Sequence, residues 1–154
     1  MNVLATQYTL ATKSFEIYLA GCNGNPHCKG CHNPGSWDFN QGNLFTVNYF
    51  NNYIKPKIEE FDLLINNFMI FGGEPLDNDH KELCVLLDCL SKLNKPIWIF
   101  TRYELNEVPN EIKQYCDYIK CGRYDESLKT NNNIQYGITL ATSNQHIYKK
   151  DIDY

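Results

Sequence analysis

The sequence predicts an α/β fold built on a mostly parallel sheet, and three observations carry this. Phe68-Met69-Ile70-Phe71 and Pro96-Ile97-Trp98-Ile99-Phe100-Thr101 are near-continuous apolar runs, the pattern of strands buried on both faces of a parallel sheet. Between them, residues 79–93 place Leu83, Leu86, Leu87, Leu90 and Leu93 at i, i+3, i+4, i+7 and i+10, one apolar stripe of an amphipathic helix. Strand–loop–helix alternation of this kind recurs along the chain and describes parallel βαβ units. About five such units are present, with five or six strands, against the eight of a closed barrel. The expected architecture is therefore a small partial (β/α) barrel, open on one side. The 154 residues suit one domain with one core, and no repeat or linker divides them.

The elements follow in order. Phe15 to Ala20 alternates apolar and polar side chains and reads as a strand. Residues 21–45 are rich in Gly, Pro and Asn without periodicity, a long loop of the kind that is usually functional. Thr46 caps a helix through Tyr53 that Pro56 limits. The strand at 68–71 ends on Gly72-Gly73, and Asp77 or Asn78 caps the leucine helix. After the strand at 96–101, a short helix spans 109–115 with Pro109 in its first turn. Asp117 to Cys121 and Gly137 to Ala141 are short strands, the latter the last, and Asn131 to Asn133 is a loop.

Composition narrows the function. Apolar residues make up 43% and aromatics 14%, which marks a globular chain. A net charge of -4 argues against a nucleic-acid backbone as partner. No apolar run approaches the ~20 residues that span a bilayer, and Met1 to Thr12 lacks the basic start and apolar core of an export signal. A cytoplasmic protein is expected. Seven cysteines, an odd number without an export signal, argue against a disulfide framework and for metal-bound thiolates in a reducing compartment.

Three of them cluster. Cys22, Cys28 and Cys31 follow the spacing Cys-x5-Cys-x2-Cys within Gly21-Cys22-Asn23-Gly24-Asn25-Pro26-His27-Cys28-Lys29-Gly30-Cys31-His32. Iron–sulfur clusters are held by cysteine thiolates, and three thiolates without a local fourth suit a cubane whose fourth iron is open to an added ligand. Other readings compete. The cysteines can be unrelated buried residues. They can hold a structural zinc with His32, although Cys31 and His32, as sequence neighbours, make awkward joint ligands of one ion. An electron carrier would recruit a fourth thiolate from Cys84, Cys89, Cys116 or Cys121. Cys84 and Cys89 lie on the leucine helix as small core residues, and Cys116 and Cys121 flank a strand.

This loop, together with Gly72-Gly73-Glu74-Pro75, resembles the radical S-adenosylmethionine superfamily. Gly21-Cys22, Cys28 to Asn33 and Trp37-Asp38 are similar to the activases of glycyl radical enzymes. Residues 97–103, 117–124 and 143–145 are similar to those activases that serve anaerobic ribonucleotide reductases. Two departures stand out. Five residues separate the first two cysteines where the family commonly has three, and Lys13 is the nearest basic residue where an Arg is usual before the loop.

The resemblance implies that residues 1–154 form one radical S-adenosylmethionine domain. It implies a [4Fe–4S] cluster on Cys22, Cys28 and Cys31, with S-adenosylmethionine on the open iron. Reductive cleavage would give methionine and a 5′-deoxyadenosyl radical, which removes hydrogen from a glycine Cα of a large partner. Gly72 and Gly73 would admit the methionine end of the ligand, with Glu74 and Pro75 shaping the turn. Gly30 would keep the loop close, His32 would lie against the adenine, and Thr101 would reach the ligand from a strand end. No acid–base residue is required, Trp37 is expected to be packing, and His27, His80 and His146 carry no assigned role. The implied partners are an anaerobic ribonucleoside-triphosphate reductase and an electron donor such as flavodoxin or ferredoxin. The alternatives are an activase of a formate-lyase type enzyme, another small radical enzyme, and a zinc- or cluster-bearing interaction module.

Overall fold

In the computed structural model, which describes residues 1–154, nine strands and four α-helices follow in sequence. Strand β1 (Asn2–Thr9) forms a hairpin with β2 (Ser14–Leu19), and β3 (Asn43–Leu44) pairs back onto β1. Helix α1 (Val47–Tyr49) runs through a π-helical stretch, Phe50–Ile54, into α2 (Lys55–Glu60). Strand β4 (Asn67–Gly72), helix α3 (His80–Ser91), strand β5 (Ile97–Phe100), helix α4 (Asn110–Lys113) and strand β6 (Tyr118–Cys121) complete the repeating part. A small hairpin of β7 (Ile134–Gln135) and β8 (Ile138–Thr139) precedes β9 (His146–Lys149).

Seven strands form one sheet in the order β3-β1-β2-β4-β5-β6-β9. The pairings β2–β4, β4–β5 and β5–β6 are parallel, whereas β1–β2, β1–β3 and β6–β9 are antiparallel. The parallel centre matches the expectation; the antiparallel flanks make the sheet mixed and raise its strand count above five or six. β1 escapes sequence reading because Val3 is its one buried residue. Pairing with β2, not side-chain alternation, makes it a strand. β9 likewise buries only Ile147 and exists by pairing with β6, so residues 137–141 are not the last strand.

The sheet divides its apolar residues between two faces. Phe15, Ile17, Leu19, Phe68, Ile70, Ile97 and Ile99 join the helices in a core of 23 buried residues. Leu83, Leu86, Leu87 and Leu90 of α3 are fully buried there, each stabilising the fold by about 1.5–3 kcal/mol. Met69 and Trp98 face the opposite side with Leu140 and Ile147. β4 is thus buried on both faces, as its unbroken apolar run requires.

Two local expectations are corrected. Helix α3 is capped by Asp79, whose Oδ1 accepts the N–H groups of Lys81 and Glu82 at 2.9 and 3.0 Å; Asp77 and Asn78 are engaged elsewhere. Thr46 does cap α1, accepting Tyr49 N–H at 2.9 Å, but the helix continues past Tyr53 and Pro56 to Glu60. Proline lacks the N–H that would close the turn before it, and the wider π-turn directly upstream absorbs that loss. No helix is long and apolar enough to cross a membrane.

Candidate functional site

Because β2, β4, β5 and β6 are parallel, their C-terminal ends share one edge, where ligands bind in open α/β sheets. The cysteine loop leaves β2 there, and the Gly72–Pro75 turn leaves β4 beside it. The two segments are laced together: Gly73 N–H donates to Leu19 O at 3.0 Å and Glu74 N–H to Gly21 O at 2.7 Å. Asn78 Nδ2 donates to Ala20 O at 3.0 Å. A Cβ on Gly73 would collide with the carbonyl oxygens of Gly21 and Ser36. Glycine at 73 is therefore what allows the turn to lie against the loop.

Glu74 is buried, at 1% exposure, and both its oxygens are used. Oε1 accepts Leu76 N–H at 3.1 Å and the Thr101 hydroxyl at 2.6 Å, and Oε2 accepts Arg102 N–H at 2.7 Å. Burial pushes its carboxyl up from the usual range, against the pull of these hydrogen bonds. Asp77 joins the same frame. It accepts Asn23 N–H at 2.6 Å and the Tyr103 hydroxyl at 2.6 Å, and pairs with Arg102 Nη2 at 3.3 Å. Glu74 and Asp77 thus connect the turn to the end of β5, and Asp77 reaches on to the cysteine loop.

A cavity of about 240 Å³ opens over this frame, lined by Cys22, Cys28, Cys31, His32, Gly72, Gly73, Glu74 and Thr101. Two sequence candidates stand outside it. Gly30, at φ 74°, turns toward Glu126, and Pro75 is buried at the start of a 3-10 turn, Pro75–Asp77. The Thr101 hydroxyl is committed to Glu74 and accepts Tyr103 N–H at 3.1 Å. His32 is exposed, its ring 5.1 Å from that of Tyr124.

Sequence reasoning missed Lys120 in the cavity wall. It extends from β6, donates to Gly122 O at 2.8 Å, and is pushed down to about 8 by burial. The available signal was a lysine between Ile119 and Cys121 in a predicted strand. Arg102 and Gln145 also line the cavity.

Three thiols reach this one cavity, and none of the other four cysteines lines it. Cys116 and Cys121 are buried, and the Cys84 thiol approaches Glu111 O at 3.5 Å. No three His, Cys, Asp or Glu side chains stand close enough together to hold a metal ion. Three thiols at one cavity suit an iron–sulfur cluster, which takes one thiolate per iron, and Gly72 and Gly73 line the same cavity.

A family model described as a 4Fe-4S single cluster domain matches residues 13–148. The chain belongs to this family. Proteins named anaerobic ribonucleoside-triphosphate reductase-activating protein are similar in sequence. The one from Enterobacteria phage T4 is 28% identical over 118 residues, covering 74% of this chain and 72% of the relative. That of Haemophilus influenzae is 28% identical over 108 residues, covering 67% and 66%. That of Escherichia coli strain K12 is 25% identical over 140 residues, covering 86% and 85%. The match to the 4Fe-4S single cluster domain takes in both the cysteine loop and the Gly72–Pro75 turn that faces it.

Proposed function

We propose that this protein is a radical S-adenosylmethionine activase that installs a glycyl radical on an anaerobic ribonucleoside-triphosphate reductase. The observation that carries the reading is one cavity shared by Cys22, Cys28, Cys31 and the backbone of Gly72-Gly73, at the carboxyl edge of the parallel strands. The similarity to reductase-activating proteins supports the choice of partner.

In this reading Cys22, Cys28 and Cys31 hold the [4Fe–4S] cluster. Gly72 and Gly73 admit the methionine end of S-adenosylmethionine, because no side chain keeps it from the backbone. Lys120 faces the carboxylate of that ligand, and His32 with Tyr124 borders the adenine. Glu74, Pro75 and Thr101 act one step back, holding the turn in shape. Gly30 lets the loop between Cys28 and Cys31 bend. When bound, the cluster and cosubstrate supply one-electron cleavage of the sulfonium to methionine and a 5′-deoxyadenosyl radical, the reagent that removes a glycine Cα hydrogen. The protein's share is orientation and exclusion of water. The open side of a partial-barrel sheet admits a glycine-bearing loop of the reductase, and a flavodoxin or ferredoxin in the cytoplasm delivers the electron.

The test is anaerobic reconstitution with iron and sulfide, reduction with dithionite and addition of S-adenosylmethionine. Formation of 5′-deoxyadenosine, lost in Cys28→Ala with folding retained, is expected. Adding the reductase should then give a glycyl radical by electron paramagnetic resonance. A colourless zinc protein, or a cluster that never cleaves the cosubstrate, overturns the reading. A radical formed only on a formate-lyase type enzyme reassigns the partner.

A further inference from the structure

The five residues between Cys22 and Cys28 fold back on the first cysteine. Gly24 is buried and packs closely against it: a Cβ added there would stand 3.4 Å from Cys22 Sγ and 3.2 Å from His27 Cα. The turn returns His27, whose Nε2 lies 3.1 Å from Cys22 O. A carbonyl oxygen only accepts, so Nε2 carries the proton and donates. The imidazole also stacks on the Trp37 indole, ring centroids 3.8 Å apart and 14° from parallel. Trp37 in turn accepts Cys22 N–H on its own carbonyl at 3.1 Å. Cys22 is thereby held at its N–H and C=O, with Gly24 packed beside Sγ, and Asp77 fixes the next residue through Asn23 N–H. The other two cysteines have no comparable frame: the backbone bond that joins them runs from Cys31 N–H to Cys28 O at 3.1 Å, within their own turn.

We infer that His27 is a positioning residue, which clamps Cys22 against Trp37 so that one thiol of the site is set before the other two close on the cluster. The inference rests on the reading of Cys22 as a cluster ligand. The long gap between the first two cysteines supplies this clamp, since it lets the chain turn at Gly24 and bring an imidazole back to the Cys22 carbonyl. Preorganised ligands of this kind lower the ordering cost of binding.

The experiment compares the full-length protein with His27→Ala, His27→Phe and His27→Gln under anaerobic conditions. In the cluster-free proteins, each thiol's rate of alkylation by iodoacetamide is read by peptide mass spectrometry. His27→Ala is expected to speed Cys22 by about 2- to 10-fold, the span of one hydrogen bond's net contribution, with Cys28 and Cys31 unchanged. His27→Phe, which keeps the stack and loses the donor, should also speed it, and His27→Gln, which keeps a donor, should restore the slow rate. In the reconstituted proteins, His27→Ala should lose its cluster to a chelator faster by a similar factor. A Cys22 rate unchanged in His27→Ala, or an equal rise at all three cysteines, overturns the inference. Should the wild type take up no [4Fe–4S] cluster, the activase reading fails, while the alkylation rates still decide whether His27 clamps Cys22.

Discussion

Glu74 Oε2 accepts the backbone N–H of Arg102 at 2.7 Å, and this bond joins the turn after β4 to the end of β5. Oε1 meanwhile holds Leu76 N–H and the Thr101 hydroxyl. All three partners donate, so a side chain with two acceptor oxygens is required. Glu74→Gln places an amide N–H₂ against a donor and should destabilise the cluster-free protein by about 1–3 kcal/mol. Thr101→Val removes one donor and should cost about 1 kcal/mol. Denaturant unfolding of both variants measures this; equal stability of Glu74→Gln and wild type would refute the brace.

Gly73 is where the turn touches the cysteine loop. A methyl group there meets the carbonyls of Gly21 and Ser36, and backbone has little room to yield. Gly73→Ala should therefore abolish cluster incorporation on reconstitution while far-ultraviolet circular dichroism stays helical and sheet-like. Gly35→Ala is the control, because nothing lies within 4 Å of the added carbon. Cluster content by iron and sulfide analysis distinguishes them.

Lys120 gives the site a pH dependence. Its pKa falls from 10.5 to about 8 through burial, so the charged form is disfavoured in the folded state. Binding of S-adenosylmethionine that uses this charge should weaken as pH rises through about 8, and Lys120→Met should be weak throughout; calorimetric titration of the cluster-loaded protein checks both. The stability effect has the opposite sense. Between about 8 and 10.5 the unfolded chain holds the proton and the folded one does not, so this group's contribution to stability rises with pH in that window. Below about 8 both states are protonated and the burial penalty is constant. Lys120→Met should accordingly raise the melting temperature of the cluster-free protein at pH 7.

The leucine face of α3 supports the sheet that carries the site. Leu87 is fully buried, whereas Leu63 is 96% exposed. Leu87→Ala should cost about 2–5 kcal/mol by transfer and cavity terms. Leu63→Ala should change the unfolding midpoint little, which a urea titration of the two variants will show.

Several of these features were legible in the residues alone. The unbroken apolar runs became β4 and β5, the leucine stripe became α3, and the three clustered cysteines reached one cavity. Each depends on a pattern within a few residues, which periodicity records. The N-cap of α3 was not legible, because Asp77, Asn78 and Asp79 all have capping side chains and only the backbone path selects Asp79. With α3 capped by Asp79, Asp77 is bonded to Asn23, Arg102 and Tyr103. β1 and β9 lack a pattern of their own and are made strands by their partners.

By itself, then, the sequence determined the α/β class, the leucine helix and the grouping of three thiols, since local spacing and residue chemistry suffice for each. Tertiary structure decided the rest: that the sheet is mixed, that Glu74 and Thr101 brace the turn, that Lys120 lines the cavity the thiols share, and that His27 returns to Cys22. Apart from the short turn that returns His27 to Cys22, those relationships join residues far apart in the chain. The contacts of Glu74, Thr101 and Lys120 exist because parallel pairing brings the ends of β2, β4, β5 and β6 to one edge, and no spacing along a single strand encodes that register.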